Sequence, residues 1–215
     1  MRVNSILLEG PYDPKLYHWT KFSSLEDIFA DNKLEARISK TNHIQWTDRK
    51  MVHFTRAPYA TFRNDTGAVL VFDRDKIAQN YKIKLRYGDS HKAAQIAAAN
   101  PEEYLPITPR RESEEVIEHD LEPLDKYLTH LVIFDHNWER LCIQYYAKLR
   151  GRPLHGYDLL IANLMTRIIK SKIKVLPVSD LNSNWQYNID KNSIDVSNMS
   201  LTYFKLIVSN ILKNV

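Results

Sequence analysis

Apolar and polar positions alternate in short runs over the first 135 residues and then change to helical spacing. Residues 16–19 form a short apolar-aromatic run closed by polar residues, which predicts a strand. Ser23 and Ser24 each stand three residues before an acidic side chain, Glu26 and Asp27. That spacing predicts a capping box, twice over, and then a short helix with Leu25, Ile28 and Phe29 inward, ending near Asn32. Residues 51–55 alternate as a strand does, and the continuous apolar run over 67–72 predicts a buried strand. Asp73 is placed to cap a short helix through Ile77, and residues 81–85 alternate again. Residues 92–99 are alanine-rich and predict a helix stopped by Asn100-Pro101. Residues 114–117 and 131–134 predict two further strands.

Helical spacing then takes over, at 138–149 and 157–170, with Arg150-Gly151-Arg152-Pro153 between. Residues 173–176 predict a strand ended by Pro177. Residues 179–198, rich in Asn, Ser and Asp, read as a surface loop. Residues 201–212 predict a closing helix with Tyr203, Phe204, Ile207, Val208, Ile211 and Leu212 on one stripe. The expected class is α+β, with a β-rich domain over 1–135 and a helical C-terminal portion over 136–215 packed on it as an extension. Strands and helices do not alternate as βαβ units, which disfavours a doubly wound sheet.

Composition narrows the chemistry. The chain has 215 residues, 44% of them hydrophobic and 26% charged, values of a globular protein that buries its own core. One cysteine, Cys142, excludes a disulfide framework and a CxxC redox pair. No run is long and apolar enough to span a membrane, and the apolar run at Ile6 is too short for a signal peptide. A soluble, cytoplasmic protein is therefore expected. Only five glycines are present, and neither GxGxxG nor GxxxxGK[ST] occurs, so a glycine cradle for phosphate is excluded. Charge is unevenly spread. Residues 102–125 carry nine acidic side chains against Arg110 and Arg111, whereas 139–174 carry eight basic ones against Glu139 and Asp158. These are either two solvated faces or a basic surface that attracts a polyanion.

Three segments set reactive side chains in or beside apolar strands: Tyr17-His18-Trp19-Thr20, Val52-His53-Phe54-Thr55-Arg56, and Glu112-Ser113-Glu114-Glu115-Val116-Ile117. Acidic residues disfavour strands, so glutamates crowded against Val-Ile point to a strand used for chemistry, the alternative being the first turn of a helix. No HExxH, HxH or His-Cys spacing offers a metal site. Cys142 falls within an amphipathic helix and reads as a buried structural thiol. Asp73 and Asp75 are explained by the helix cap.

In this order the three segments resemble the ADP-ribosyltransferase superfamily. Its members carry a His or Arg on the first strand, an aromatic-Ser/Thr segment on a middle strand and a Glu on a later one. The opening segment with its following helix looks like that of the DarT-type, DNA-targeting branch. Glu112-x-Glu114 is similar to the paired glutamates of the arginine-modifying branch, and the block from Phe54 to Ile117 resembles phage-borne relatives. The resemblance covers roughly residues 14–135. It implies split antiparallel sheets with flanking helices, NAD bound in the cleft between them, and transfer of ADP-ribose to DNA, RNA or protein. Glu114 is the favoured catalytic carboxylate, with Glu112 on the same strand face; a one-residue shift of register would give Glu115 and Ser113 those places. His18 and Thr20 of the first segment, and Thr55, would hold the ribose or orient the Glu. Arg56, or Arg63, would meet the pyrophosphate, and Tyr59, Phe62 or Tyr81 would stack on nicotinamide. Arg150, Arg152 and Tyr157 are the candidates for contact with a nucleic-acid acceptor. The rival expectation is a non-catalytic module that binds nucleic acid or protein on the same scaffold.

Overall fold

A computed structural model describes residues 14–38, 50–55, 67–87, 113–181 and 185–213, with backbone alone at 85–87 and 113–114. Among these residues the strands are β1 (Lys15–Thr20), β2 (Arg37–Ile38), β3 (Lys50–Thr55), β4 (Ala68–Asp73), β5 (Lys84–Tyr87), β6 (Ser113–Ile117), β7 (Leu128–Phe134), β8 (Lys174–Val178) and β9 (Ile194–Asp195). The helices are α1 (Leu25–Asp31), α2 (Arg74–Ala78), α3 (Asp135–Leu149), α4 (Gly156–Ser171), α5 (Ile189–Asn192) and α6 (Leu201–Lys213). The class is α+β, as the pattern predicts. The predicted helix over 92–99 lies outside the described residues.

The strands form one sheet in the order β5-β6-β3-β1-β4-β7-β8-β9, with β2 pairing on β3. All pairings are antiparallel except β7 with β8, which α3 and α4 connect as a crossover. β4 lies in the middle of the sheet and is buried from Ala68 to Phe72, which explains its unbroken apolar run. On one face Leu16, Phe54, Leu70, Phe72, Ile117, Leu131 and Ile133 pack under α1, α3, α4 and α6. On the other, Tyr17, Val69, Val71 and Val132 pack with Leu176, Leu181, Trp185 and Ile189. The predicted surface loop over 179–198 is therefore corrected. It folds into 3₁₀ turns, α5 and β9, and buries Trp185, Ile189 and Val196. Trp185 meets Tyr17 edge-on at 5.8 Å and donates its indole N–H to the Leu181 carbonyl.

Three other local expectations change. Ser24 makes no side-chain cap, because a 3₁₀ turn over Phe22–Ser24 runs straight into α1; Glu26 pairs instead with Arg167 of α4. Helix α1 does stop at Asn32, which adopts the left-handed conformation at φ 50°. Pro177 does not end β8, since β9 pairs only Lys174 and Val175 and leaves that stretch an edge. On α6 only Phe204 and Val208 are buried, while Tyr203 and Leu212 face outward.

Two expected outcomes follow from the packing. A Cβ on Gly67 would lie 2.6 Å from Phe22 Cβ and 2.8 Å from the Phe22 backbone nitrogen. Gly67→Ala is therefore expected to cost about 1–3 kcal/mol by overpacking, measured by urea unfolding. The second concerns His130, which is 5% exposed and stands 3.4 Å from Asp190, itself bonded to Lys15. Burial holds the imidazole down at about 4, helped by the charges of Lys174 and Lys15 and opposed by Asp190. An unfolded chain protonates the same side chain near pH 6.5. Between about 6.5 and 4 the unfolded state thus binds the extra proton, and stability falls as pH drops through that window. His130→Gln should flatten this fall in thermal melts compared at pH 7 and pH 4.5.

Candidate functional site

Most neighbouring strands in the sheet are held by several register pairs: β1 and β4 by six, β3 and β6 by four. Among the described residues β1 and β3 share one, Tyr17 with Thr55. The sheet is thus nearly divided at this seam, into β5-β6-β3 and β1-β4-β7-β8-β9. This is the split that the resemblance leads one to expect. Thr55 stands at its apex, paired with Tyr17 on one side and Glu114 on the other. In antiparallel strands directly opposed residues share a face, so Tyr17, Thr55 and Glu114 form one row.

His18 bridges the seam. Its Nδ1 is 2.8 Å from the His53 carbonyl oxygen, and its ring meets Phe54 at 6.3 Å, edge to face. A carbonyl only accepts, so Nδ1 carries the proton and Nε2 of the neutral ring is left as an acceptor. Burial pulls the imidazole below its usual range, and the charges of His53 and Arg37 act the same way, against the pull of the His53 carbonyl. The ring therefore lies with Phe54, on the face opposite Thr55 and Glu114.

Glu115 faces the other way. It is opposite Phe54, on the side of the helical core, and is 0% exposed. Arg74, the first residue of α2, donates Nε to its carboxylate at 2.8 Å. Arg74 was missed in the sequence, where Phe72-Asp73-Arg74-Asp75 reads as a strand end and a cap. The cap itself is present, since Asp73 accepts from the Lys76 backbone.

The seam brings His18, Thr55 and the backbone of Glu114 onto neighbouring strands, and Thr20 ends β1 beside Ala68. Tyr81 is held elsewhere. Its hydroxyl donates to the Glu122 carbonyl and accepts from the Glu122 N–H, and its ring stands against Tyr127. Glu112, Arg56, Tyr59, Phe62 and Arg63 lie outside the described residues.

A second surface lies at the α3–α4 turn. Arg150 and Arg152 are exposed, and Tyr157 presents its ring with Arg140 above it at 4.4 Å. Part of the basic segment is committed internally: Lys148 to Asn163 and Thr166, Arg140 to Asp158, Arg167 to Glu26. Cys142 is buried, with its thiol pushed up by that burial. Among the described residues no helix is long and apolar enough to cross a membrane.

No family model matches the chain, and no curated protein matches it. Similar solved structures are those of Thermus sp. 2.9 DarT. The complex with carba-NAD+ is 11% identical, with a TM-score of 0.42, covering 81% of this chain and 100% of that one. The complex with NAD+ is 12% identical at the same TM-score and coverage. The complex with ADP-ribosylated ssDNA is 12% identical with a TM-score of 0.43, covering 79% of this chain and 96% of that one.

Proposed function

We propose that the protein is an NAD-dependent ADP-ribosyltransferase with a nucleic-acid acceptor, and that Glu114 is its catalytic carboxylate. The observation that carries this is the row Tyr17–Thr55–Glu114 at the apex of a nearly divided sheet, with His18 clasped across the same seam. A threonine hydroxyl in register with the glutamate, at the seam of the sheet, suits a ribose, whose hydroxyls donate. Without a glycine cradle, a pyrophosphate needs a cation, and Arg56 follows the motif directly.

When bound, NAD supplies a ribose whose bond to nicotinamide breaks with the electron pair leaving on nicotinamide, so that positive charge builds on the sugar. The Glu114 carboxylate stabilises that charge more than it stabilises the ground state, which is what accelerates the step. Thr55, in register with Glu114 on the same face, orients the glutamate and meets a ribose hydroxyl, while His18, packed on Phe54 on the opposite face, fastens the seam behind them. The acceptor nucleophile takes the ribose carbon and gives up its proton. Arg150, Arg152 and Tyr157 would guide a polyanionic acceptor by charge and stacking.

Thr55→Val tests the arrangement. Loss of one hydrogen bond to a ligand hydroxyl is expected to weaken NAD binding about tenfold by calorimetry. Unchanged affinity would remove Thr55 from the site. A protein acceptor in place of nucleic acid would appear as label on protein when labelled NAD is supplied with both.

A further inference from the structure

The Arg74–Glu115 pair belongs to neither the row of Thr55 nor the His18 clasp, yet it joins the two halves of the sheet. Glu115 is on β6, in the half made of β5, β6 and β3; Arg74 leaves the end of β4, in the other half. β3 and β1 lie between them, a separation of about 14 Å in a flat sheet. Side chains standing upright on such a sheet would not meet. Here Nε and the carboxylate are 2.8 Å apart, with Glu115 0% and Arg74 23% exposed at the side chain. The Arg74 backbone N–H is also bonded to the Pro14 carbonyl at 2.7 Å, which ties the arginine to the start of β1 where β3 ends. The twist of the sheet and the start of α2 bring the two side chains together on the core side, so the contact spans β3 and β1 and ties one half to the other there.

We propose that the Arg74–Glu115 pair is a positioning clamp that sets the separation of the half-sheets, and so places β6, which carries Glu114, relative to β1. This rests on the ADP-ribosyltransferase reading for its catalytic consequence, though not for the clamp itself. A buried ion pair is a suitable device for such a role. A guanidinium–carboxylate contact has a narrow optimum of distance and angle, which suits it to fix a separation.

Removing a single partner takes a contact from a buried charge and risks unfolding, so the decisive variant removes both: Arg74→Met with Glu115→Leu. Apolar replacement of a buried pair commonly preserves stability. Spin labels at Lys50→Cys on β3 and Lys174→Cys on β8 report the separation of the halves; the buried Cys142 thiol leaves the two new sites as the reactive ones. The double variant is expected to melt near the parent protein, to broaden the distance distribution, and to lose at least tenfold in kcat for nicotinamide release with KM for NAD little changed. An unchanged distance distribution would overturn the clamp, whatever the protein does with NAD. If the distribution broadens but the parent releases no nicotinamide, the clamp stands and the enzymatic reading fails. Should the double variant not fold, Arg74→Lys keeps the charge and loses the planar contact. A broadened distribution and lowered kcat then support the clamp, and parental values for both overturn it.

Discussion

Glu114→Gln is expected to reduce nicotinamide release by roughly a thousandfold while leaving NAD affinity within about threefold. The amide keeps the size and much of the hydrogen bonding of the carboxylate and removes the charge. The loss should fall on the charged transition state rather than on binding. Thr55 is the direct partner of Glu114 across β3–β6, so the strand position survives the substitution. Chromatography of nicotinamide at saturating NAD, with calorimetry for affinity, separates the two quantities. A non-catalytic binding module predicts no effect on either. Glu115→Gln would be a poor control, because that carboxylate is buried against Arg74 and its loss disturbs the fold.

Phe54→Ala is expected to destabilise the protein by about 3–5 kcal/mol, a large share of the stability of an ordinary domain. The ring is buried at the seam, 5.5 Å from Phe72 of β4 and 6.3 Å from His18 of β1. It therefore packs across the two halves where, among the described residues, one backbone register pair joins β1 and β3. Its removal opens a cavity and withdraws the face against which the His18 ring rests. Denaturant unfolding reads the first effect. Where the variant remains folded, nicotinamide release should fall as well, because β3, which carries Thr55, has lost its packing on β1 and β4; an ordinary core truncation far from the seam would not cause this.

Much of the architecture is legible in the pattern of side chains. The run from Ala68 to Phe72 reads as a buried strand because both faces of β4 are covered, and α3 and α4 are visible from their helical spacing. Residues 179–198 read wrongly because Trp185, Ile189 and Val196 are single anchors, each preceded by Asn or Asp. Those polar residues serve as turn formers: Asp195 accepts from the Ser197 backbone and closes a 3₁₀ turn. The pairing of β7 with β8 is also invisible in the sequence, since strand order depends on where two helices return the chain. At the site, the order of the three motifs is legible and the face of each glutamate is not. Alternation assigns Glu114 and Glu115 to opposite faces without saying which face is which. The register Thr55–Glu114 and the contact with Arg74 supply that distinction. Arg74 itself carries no local signal, because its partner is 41 residues away.

Incubation with NAD labelled in the adenosine moiety, with DNA, RNA and protein supplied together, tests the central claim most directly. Separation of the products should show label on a nucleic acid together with an equal amount of free nicotinamide. Intact NAD and no labelled polymer, from protein shown to be folded, would contradict ADP-ribosyl transfer and leave the seam as the scaffold of a binding module.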